Sequence, residues 1–301
     1  MGRAFERQTN GQVIVIVALL IAMVFVTLAV ILNSAIYAEN LSTRETADSI
    51  EVSGAIAETV HDIDVAMVTV NAEHGDSIEK KNEKFEEIVT YRGDAATTRH
   101  ATGGAVFSVD LLDTVDGTKL VQNESSKTFE NPTGNSDWNL TESADTIRDF
   151  QLEVSVEENE EFRIIFGNET DEWKILVEQD ENNEYHVTSK ENGAAVETCS
   201  VEASTEISIN LTPGSINGDP CHSLSLENYD WNYIGFQNGD QAEGTYSVLV
   251  PNEEYVAENF NEVGQSPFAA PAVYAAELEI TYQRSDIYLT RTLVVGHGSE
   301  A

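Results

Sequence analysis

The chain has 301 residues, 41% of them apolar, enough for one large domain or two ordinary ones with a true core. Acidic residues outnumber basic ones 53 to 16, giving a formal charge of -37, and the absence of any basic stripe excludes a nucleic-acid partner. Such a charge repels itself in dilute buffer but is screened at molar salt, where the Debye length is about 3 Å, so the composition points to a halophilic source.

Residues 1–12 form a short tail carrying Arg3 and Arg7. Val13 to Leu32 then reads VIVIVALLIAMVFVTLAVIL, with Thr27 its only polar side chain. As a helix it would span about 30 Å of hydrocarbon. It is too long for the apolar part of a cleaved secretory signal, roughly 7 to 15 residues. Only Arg44 follows closely, so the basic residues favour a cytoplasmic N-terminus, with everything after Asn33 outside the cell membrane.

Residues 33–71 are expected to be an extracellular helical extension. Val52, Ile56, Val60, Ile63, Met67 and Val70 recur at spacings of three and four, an apolar stripe that must meet an apolar surface. His61 stands beside Asp62 and Asp64 on this helix, and a polar helix surface accounts for the three better than a metal or catalytic site.

Residues 72–301 should form an acidic, β-rich extracellular domain. Asp76-Ser77-Ile78-Glu79 has the pattern of a capping box, predicting a second helix that runs to Gly93. Lys80, Lys81 and Lys84 alternate there with Glu79, Glu83, Glu86 and Glu87, which reads as a solvated face. From Ala105 the pattern changes to short β-branched and aromatic runs: AVFSVDLL, LEVSV, FRIIF, WKILVE, YHVTS, ETCSVE, EISINL, YSVLV, ELEITY and IYLTRTLVV. Turn residues at Gly167 to Asp171 and at Asn192-Gly193 separate some of them. The predicted class is therefore α+β: a long membrane-spanning helix, an amphipathic continuation, and an antiparallel sandwich-like domain of about ten strands.

Cys199 and Cys221 are the two cysteines, and turn signals at Pro213-Gly214 and Asn217-Gly218 lie between them, so a disulfide is expected of an external domain. Asn40, Asn123, Asn139, Asn168 and Asn210 each open an N-x-S/T triplet and are candidate glycosylation sites. Asp110, Asp113 and Asp116 lack the spacing of a calcium loop. Trp231-Asn232-Tyr233 is too short to define a carbohydrate site. No zincin, nucleophile-elbow, phosphate-loop or zinc-cluster pattern occurs, so neither an enzyme nor a cofactor is implied.

The order of a short N-terminal stretch, Gly11-Gln12, an unbroken apolar helix and a β domain resembles archaeal type IV pilin-like proteins. GQVIVIVALLIAMVFVTLAVILNSAIYAENLSTR is similar to the opening of uncharacterised haloarchaeal pilin-like membrane proteins, as are INLTPGSINGDPC, GFQNGDQAEGTYSVLV and PAVYAAELEITY further on. The resemblance implies prepilin cleavage between Gly11 and Gln12. It also implies that the Val13 to Leu32 surface meets first the lipid bilayer and then copies of itself or other pilin-like subunits. Asn10 stands where Lys or Arg is usual, and Ile16 where bacterial pilins carry glutamate, which favours a minor or pseudopilin role. The alternative is a permanently anchored surface binding module, an adhesin or envelope receptor.

Overall fold

The structure is a computed structural model that describes Met23 and residues 52–142, 147–168, 171–203, 205–225, 232–251, 255–285 and 287–296. It corrects the predicted fold class. Fourteen antiparallel strands in two sheets dominate the described residues, with two long α-helices, α1 at residues 52–71 and α2 at Ile78–Thr102. Among the described residues no helix is long and apolar enough to cross a membrane. The segment Val13 to Leu32 lies outside them. The helices that are described belong to the domain's own packing: α2 carries Glu79, Glu83, Glu86 and Glu87 on its outer side, and its buried positions hold only one large aromatic.

The strands are β1 (Val106–Gln122), β2 (Trp138–Thr141), β3 (Arg148–Val156), β4 (Glu161–Gly167), β5 (Glu172–Gln179), β6 (Glu184–Glu191) and β7 (Ala194–Glu202). They continue as β8 (Ile207–Asn210), β9 (Ser215–Ile216), β10 (Asp219–Pro220), β11 (Tyr233–Gln237), β12 (Ala242–Pro251), β13 (Phe268–Gln283) and β14 (Tyr288–Val295). The larger sheet has the order β10-β9-β8-β3-β12-β1-β13-β14, and the smaller one β2-β11-β4-β5-β6-β7. The β6–β7 hairpin turns at Asn192 (φ 48°) and Gly193 (φ 84°), the left-handed pair that matches strand twist.

Alternation explains the core between the sheets. In β3 the pattern places Phe150, Leu152, Val154 and Val156 inward and Gln151 and Glu153 outward. They meet Phe162, Ile164, Phe166, Ile175, Val177, Tyr185 and Val187 of the smaller sheet in one buried cluster. Phe129 stacks on Phe162 at 4.7 Å between centroids, and the Trp138 indole N–H donates to the Phe129 carbonyl at 2.8 Å.

The opposite face of the larger sheet carries the helices. Ile63, Ala66, Met67 and Val70 of α1 and Phe85 and Val89 of α2 pack on Val273, Ala276, Leu278 and Val295. The α1 stripe thus covers its own sheet from Thr59 onward. In α2 the inward residues are Lys81, Phe85, Val89, Gly93 and Ala96, at helical spacing. Gly93 does not end the helix as predicted. It packs on Val109 of β1, where an added Cβ would lie 3.4 Å away at contact distance, and the helix continues through Ala95 and Ala96 to Thr102.

The predicted capping box does not form either. Ser77 is the N-cap and makes no side-chain capping bond, while Asp76 turns to Lys84, 2.5 Å away. That hydrogen bond pushes the Lys84 ammonium up to about 12 and holds the Asp76 carboxyl below the usual carboxylate range.

Candidate functional site

The most elaborated part of the domain is the joint between α1 and the larger sheet. β1 and β13 change register between Val115 and Asp116, which leaves Tyr274 as an extra residue on β13. Gly117 makes room for it: a Cβ at Gly117 would sit 2.7 Å from the Tyr274 Cβ. Next to this bulge, β14 has already ended opposite Ala276, so Val273 lies beyond its reach. Asn71, at the end of α1, takes the missing strand's place. Its Nδ2 donates to the Val273 carbonyl at 2.8 Å, and its Oδ1 accepts from the Val273 N–H at 2.9 Å.

Asn71 is itself buried. Asn71→Ala would strand two backbone groups, and at about 1–3 kcal/mol for each unsatisfied buried group it should destabilise the domain by about 2 kcal/mol or more. Chemical unfolding of the full chain in neutral detergent checks this. A loss under half that size would mean that water replaces the amide without penalty.

Two cations complete the joint. Lys81 donates at 3.1 Å to the Val70 carbonyl in the last turn of α1, which also accepts the Glu73 N–H at 3.4 Å. Arg148 of β3 donates to the Tyr274 carbonyl, and its guanidinium lies 5.5 Å from the centre of the Tyr274 ring. Lys81 is thus no part of a solvated face: it is completely buried. The signal was present in the sequence, because Lys81 precedes Phe85 by four residues and Val89 by eight, on the same side of the helix.

The predicted site residues are scattered. Cys199 and Cys221 are joined in a disulfide that ties β7, the edge of the smaller sheet, to the residue after β10, the edge of the larger one. Of the triplets, Asn123 is exposed and its Oδ1 accepts from the Ser266 hydroxyl at 2.6 Å. Asn139 lies in β2 beside a fully buried Thr141 whose hydroxyl accepts the Ile234 N–H, a poor setting for glycosylation. Asn168 and Asn210 use their side-chain oxygens to close local turns, at 2.8 and 3.2 Å. Asn40, Gly11, Gln12, Val13 and Leu32 lie outside the described residues.

The acidic candidates diverge as well. Asp62 faces Arg92 of α2 at 3.9 Å, whereas burial raises the Asp64 carboxyl above its ordinary range despite the attraction of Arg148; His61 is exposed. Asp110 and Asp113 are exposed along β1, and Asp116 accepts from Asn82 at 3.0 Å. Asp180, Glu184 and His186 cluster at the β5–β6 turn. The turn itself explains them: Asp180 accepts the N–H groups of Asn182 and Glu184 at 2.8 and 2.9 Å. A cleft of about 290 Å³ lies between Ile78, Asp116, Thr118, Tyr255, Ala270 and Pro271. Among the described residues of its lining Asp116 is the one carboxylate, with the hydroxyls of Thr118 and Tyr255 as the other polar side chains.

What the domain does present is surface. On the face of β1, β13 and β14 turned from the helices, Val106, Tyr288 and Val294 are exposed among Asp110, Asp113, Glu277 and Glu279. Among the described residues β14 is an edge strand of the larger sheet, eight residues long without proline or lysine and with Arg291 its only charge. Comparison with protein-family models, with curated proteins and with solved structures returns no match.

Proposed function

We propose that the chain is a pilin-like structural or accessory subunit of a haloarchaeal cell-surface assembly. The apolar segment Val13 to Leu32 holds it in the cell membrane, with its N-terminus cytoplasmic and its acidic domain outside. The same segment meets lipid and then other pilin-like subunits or further copies of the chain.

The observation that carries this reading is the way α1 joins the domain. From Thr59 on, its inner stripe, the Asn71 pairing and the Lys81 contact make the helix part of the sheet's packing. From Thr59 onward α1 is therefore fixed to the sheet, which favours a structural subunit over a receptor whose domain hangs on a loose tether. The disulfide agrees with an oxidising exterior. The β14 edge, unpaired among the described residues, offers backbone pairing to a neighbouring subunit.

N-terminal sequencing of the native protein, together with fractionation of sheared cell-surface material, tests the proposal. A chain that begins at Gln12 and appears in the sheared fraction supports it. A chain that keeps Arg3 and Arg7 and stays wholly in the membrane fraction points to the permanently anchored binding module.

Salt supplies a further expected result. With -37 formal charges, the unfolding midpoint of the chain in neutral detergent should rise as salt goes from dilute buffer to molar concentration, by screening of carboxylate repulsion. Mild acid should act in the same direction in dilute buffer, so that the domain is more stable near pH 5 than near pH 8. The gain has a floor. Hydrogen bonds hold Asp76, Asp180 and Glu197 below the ordinary carboxylate range, and for such acids the stabilisation is present above the unfolded value and lost as pH falls through the folded one. Stability should therefore turn down again below about pH 4. A midpoint that is flat or falls with salt removes the halophilic reading.

A further inference from the structure

The cleft beside the start of α2 gathers polar groups whose hydrogen-bonding capacity the domain leaves unused. Its volume is about 290 Å³, and Asp116, Thr118 and Tyr255 stand in one wall-to-wall lining with Ile78, Ala270 and Pro271. Thr118 is only 5% exposed, yet its hydroxyl makes no hydrogen bond among the described residues. The Tyr255 ring lies edge-on to Phe260 at 5.8 Å, and its hydroxyl is equally without a partner among them. Asp116 stands at the register shift between β1 and β13, where a bulge re-aims a side chain out of the regular alternation. Asn82 donates to the Asp116 Oδ1 at 3.0 Å, and the oxygen of that amide is buried without a donor, so holding the carboxylate is the one hydrogen bond the Asn82 side chain makes. Asp116 has no ion-pair partner among the described residues, and its Oδ2 accepts no hydrogen bond from them.

The lining fixes the chemistry of what it can hold. It contains one carboxylate and no lysine, arginine or histidine, so an anion is repelled and a neutral ligand leaves the charge uncompensated. A hard metal ion takes about six or more oxygens close around it, whereas this lining offers the side-chain oxygens of three residues in a space far wider than an ion. The walls formed by Ile78, Ala270 and Pro271 are apolar and give a bare ion nothing. A primary ammonium on a short alkyl stem suits both halves: its three N–H groups match the three residues that carry oxygen, and its methylene groups lie against the apolar walls. The cleft is at the small end of the range of ligand pockets, roughly 300–1,000 Å³, which leaves room for such a group and none for a nucleotide.

We propose that this cleft binds a primary alkylammonium group, with Asp116, Thr118 and Tyr255 accepting its N–H bonds and Ile78 and Pro271 covering its stem. Asn82 is a positioning residue for the carboxylate. The site is independent of the apolar segment Val13 to Leu32 and of assembly. An ammonium of this kind reaches the cleft either as a free amine or as the end of a lysine side chain on another protein, and both present the same chemistry to the three residues.

The test is saturation-transfer NMR of n-butylammonium with the full chain in neutral detergent and molar sodium chloride. The same preparation of Asp116→Asn is the reference for what the detergent and the overall negative charge contribute. The parent should bind with a dissociation constant of about 1 mM, ordinary for a ligand of this size. Asp116→Asn keeps an oxygen for Asn82 but removes the charge, and should weaken binding roughly tenfold or more. Thr118→Val, of the same shape without the hydroxyl, and Tyr255→Phe, which keeps the ring against Phe260, should each weaken it roughly fivefold. Should Asp116→Asn not fold, Tyr255→Phe takes its place as the reference. Tetramethylammonium has the charge but no N–H, n-butanol the stem but no charge, and each should bind roughly tenfold more weakly or worse. A tripeptide blocked at both ends, with lysine at its centre, separates the two sources: binding equal to that of butylammonium, and lost when norleucine replaces the lysine, assigns the group to a partner's side chain, while binding of butylammonium alone assigns it to a free amine. No binding by the parent, equal binding by parent and variants, or equal binding of butylammonium and tetramethylammonium would overturn the site.

Discussion

Replacing Ile63 with aspartate is expected to destabilise the domain by about 4 kcal/mol or more. Ile63 is completely buried in the cluster that joins α1 and α2 to Val273, Ala276, Leu278 and Val295. Removing its side chain alone costs about 2–5 kcal/mol for a truncation of this kind. The carboxylate that replaces it would either stay ionised with no counter-charge in the cluster or take up a proton at neutral pH, and both raise the cost. Ile63→Val should cost only about 1 kcal/mol, because the packing survives with one methyl fewer. Chemical unfolding with oligomer size measured in parallel checks both. If Ile63→Asp melts like the parent but loses its oligomers, α1 packs on another subunit and not on its own sheet.

The second large effect concerns the disulfide. β9 and β10 have two residues each, far fewer than a strand needs for independent stability. The Cys199–Cys221 bridge holds this short-stranded edge of the larger sheet against β7 of the smaller one, and Cys221 is buried in the core between the sheets. Cys199 and Cys221 are 22 residues apart, and for a loop of that size the chain-entropy model gives about 3 kcal/mol. Replacing both cysteines by serine should remove roughly that much, and hydrogen exchange should speed up first in β7 to β10 while β1, β12 and β13 keep their protection. Thiol labelling of the denatured, unreduced parent is the companion measurement: it should find no reactive sulfhydryl, and two per chain would refute the bridge.

The sequence by itself determined where most elements lie and what kind they are. Short β-branched and aromatic runs between turn residues marked β3 to β8, β12 and β14, because strand propensity and turn chemistry are local properties of the chain. The Val52 to Val70 stripe marked α1 for the same kind of reason, and two cysteines leave a single intramolecular pairing. It did not reveal β2, β9, β10 or β11, which are short or interrupted by glycine, nor that β13 begins as early as Phe268.

The tertiary structure decided what those elements amount to. A pattern weighted toward α+β became two antiparallel sheets with two packed helices, because strand order depends on contacts between residues far apart. β3 and β12 pair across about ninety residues, and so do Leu152 and Tyr246 within them. The joint was equally invisible. Asn71 acquires its role only where a bulge at Tyr274 and the end of β14 leave Val273 without a strand beside it. Lys81 is buried because α2 presses that side onto the sheet and the Val70 carbonyl waits there, a circumstance no local charge pattern contains. Local periodicity is written in neighbouring residues; burial and partnership are set by surfaces that meet only when the chain has folded.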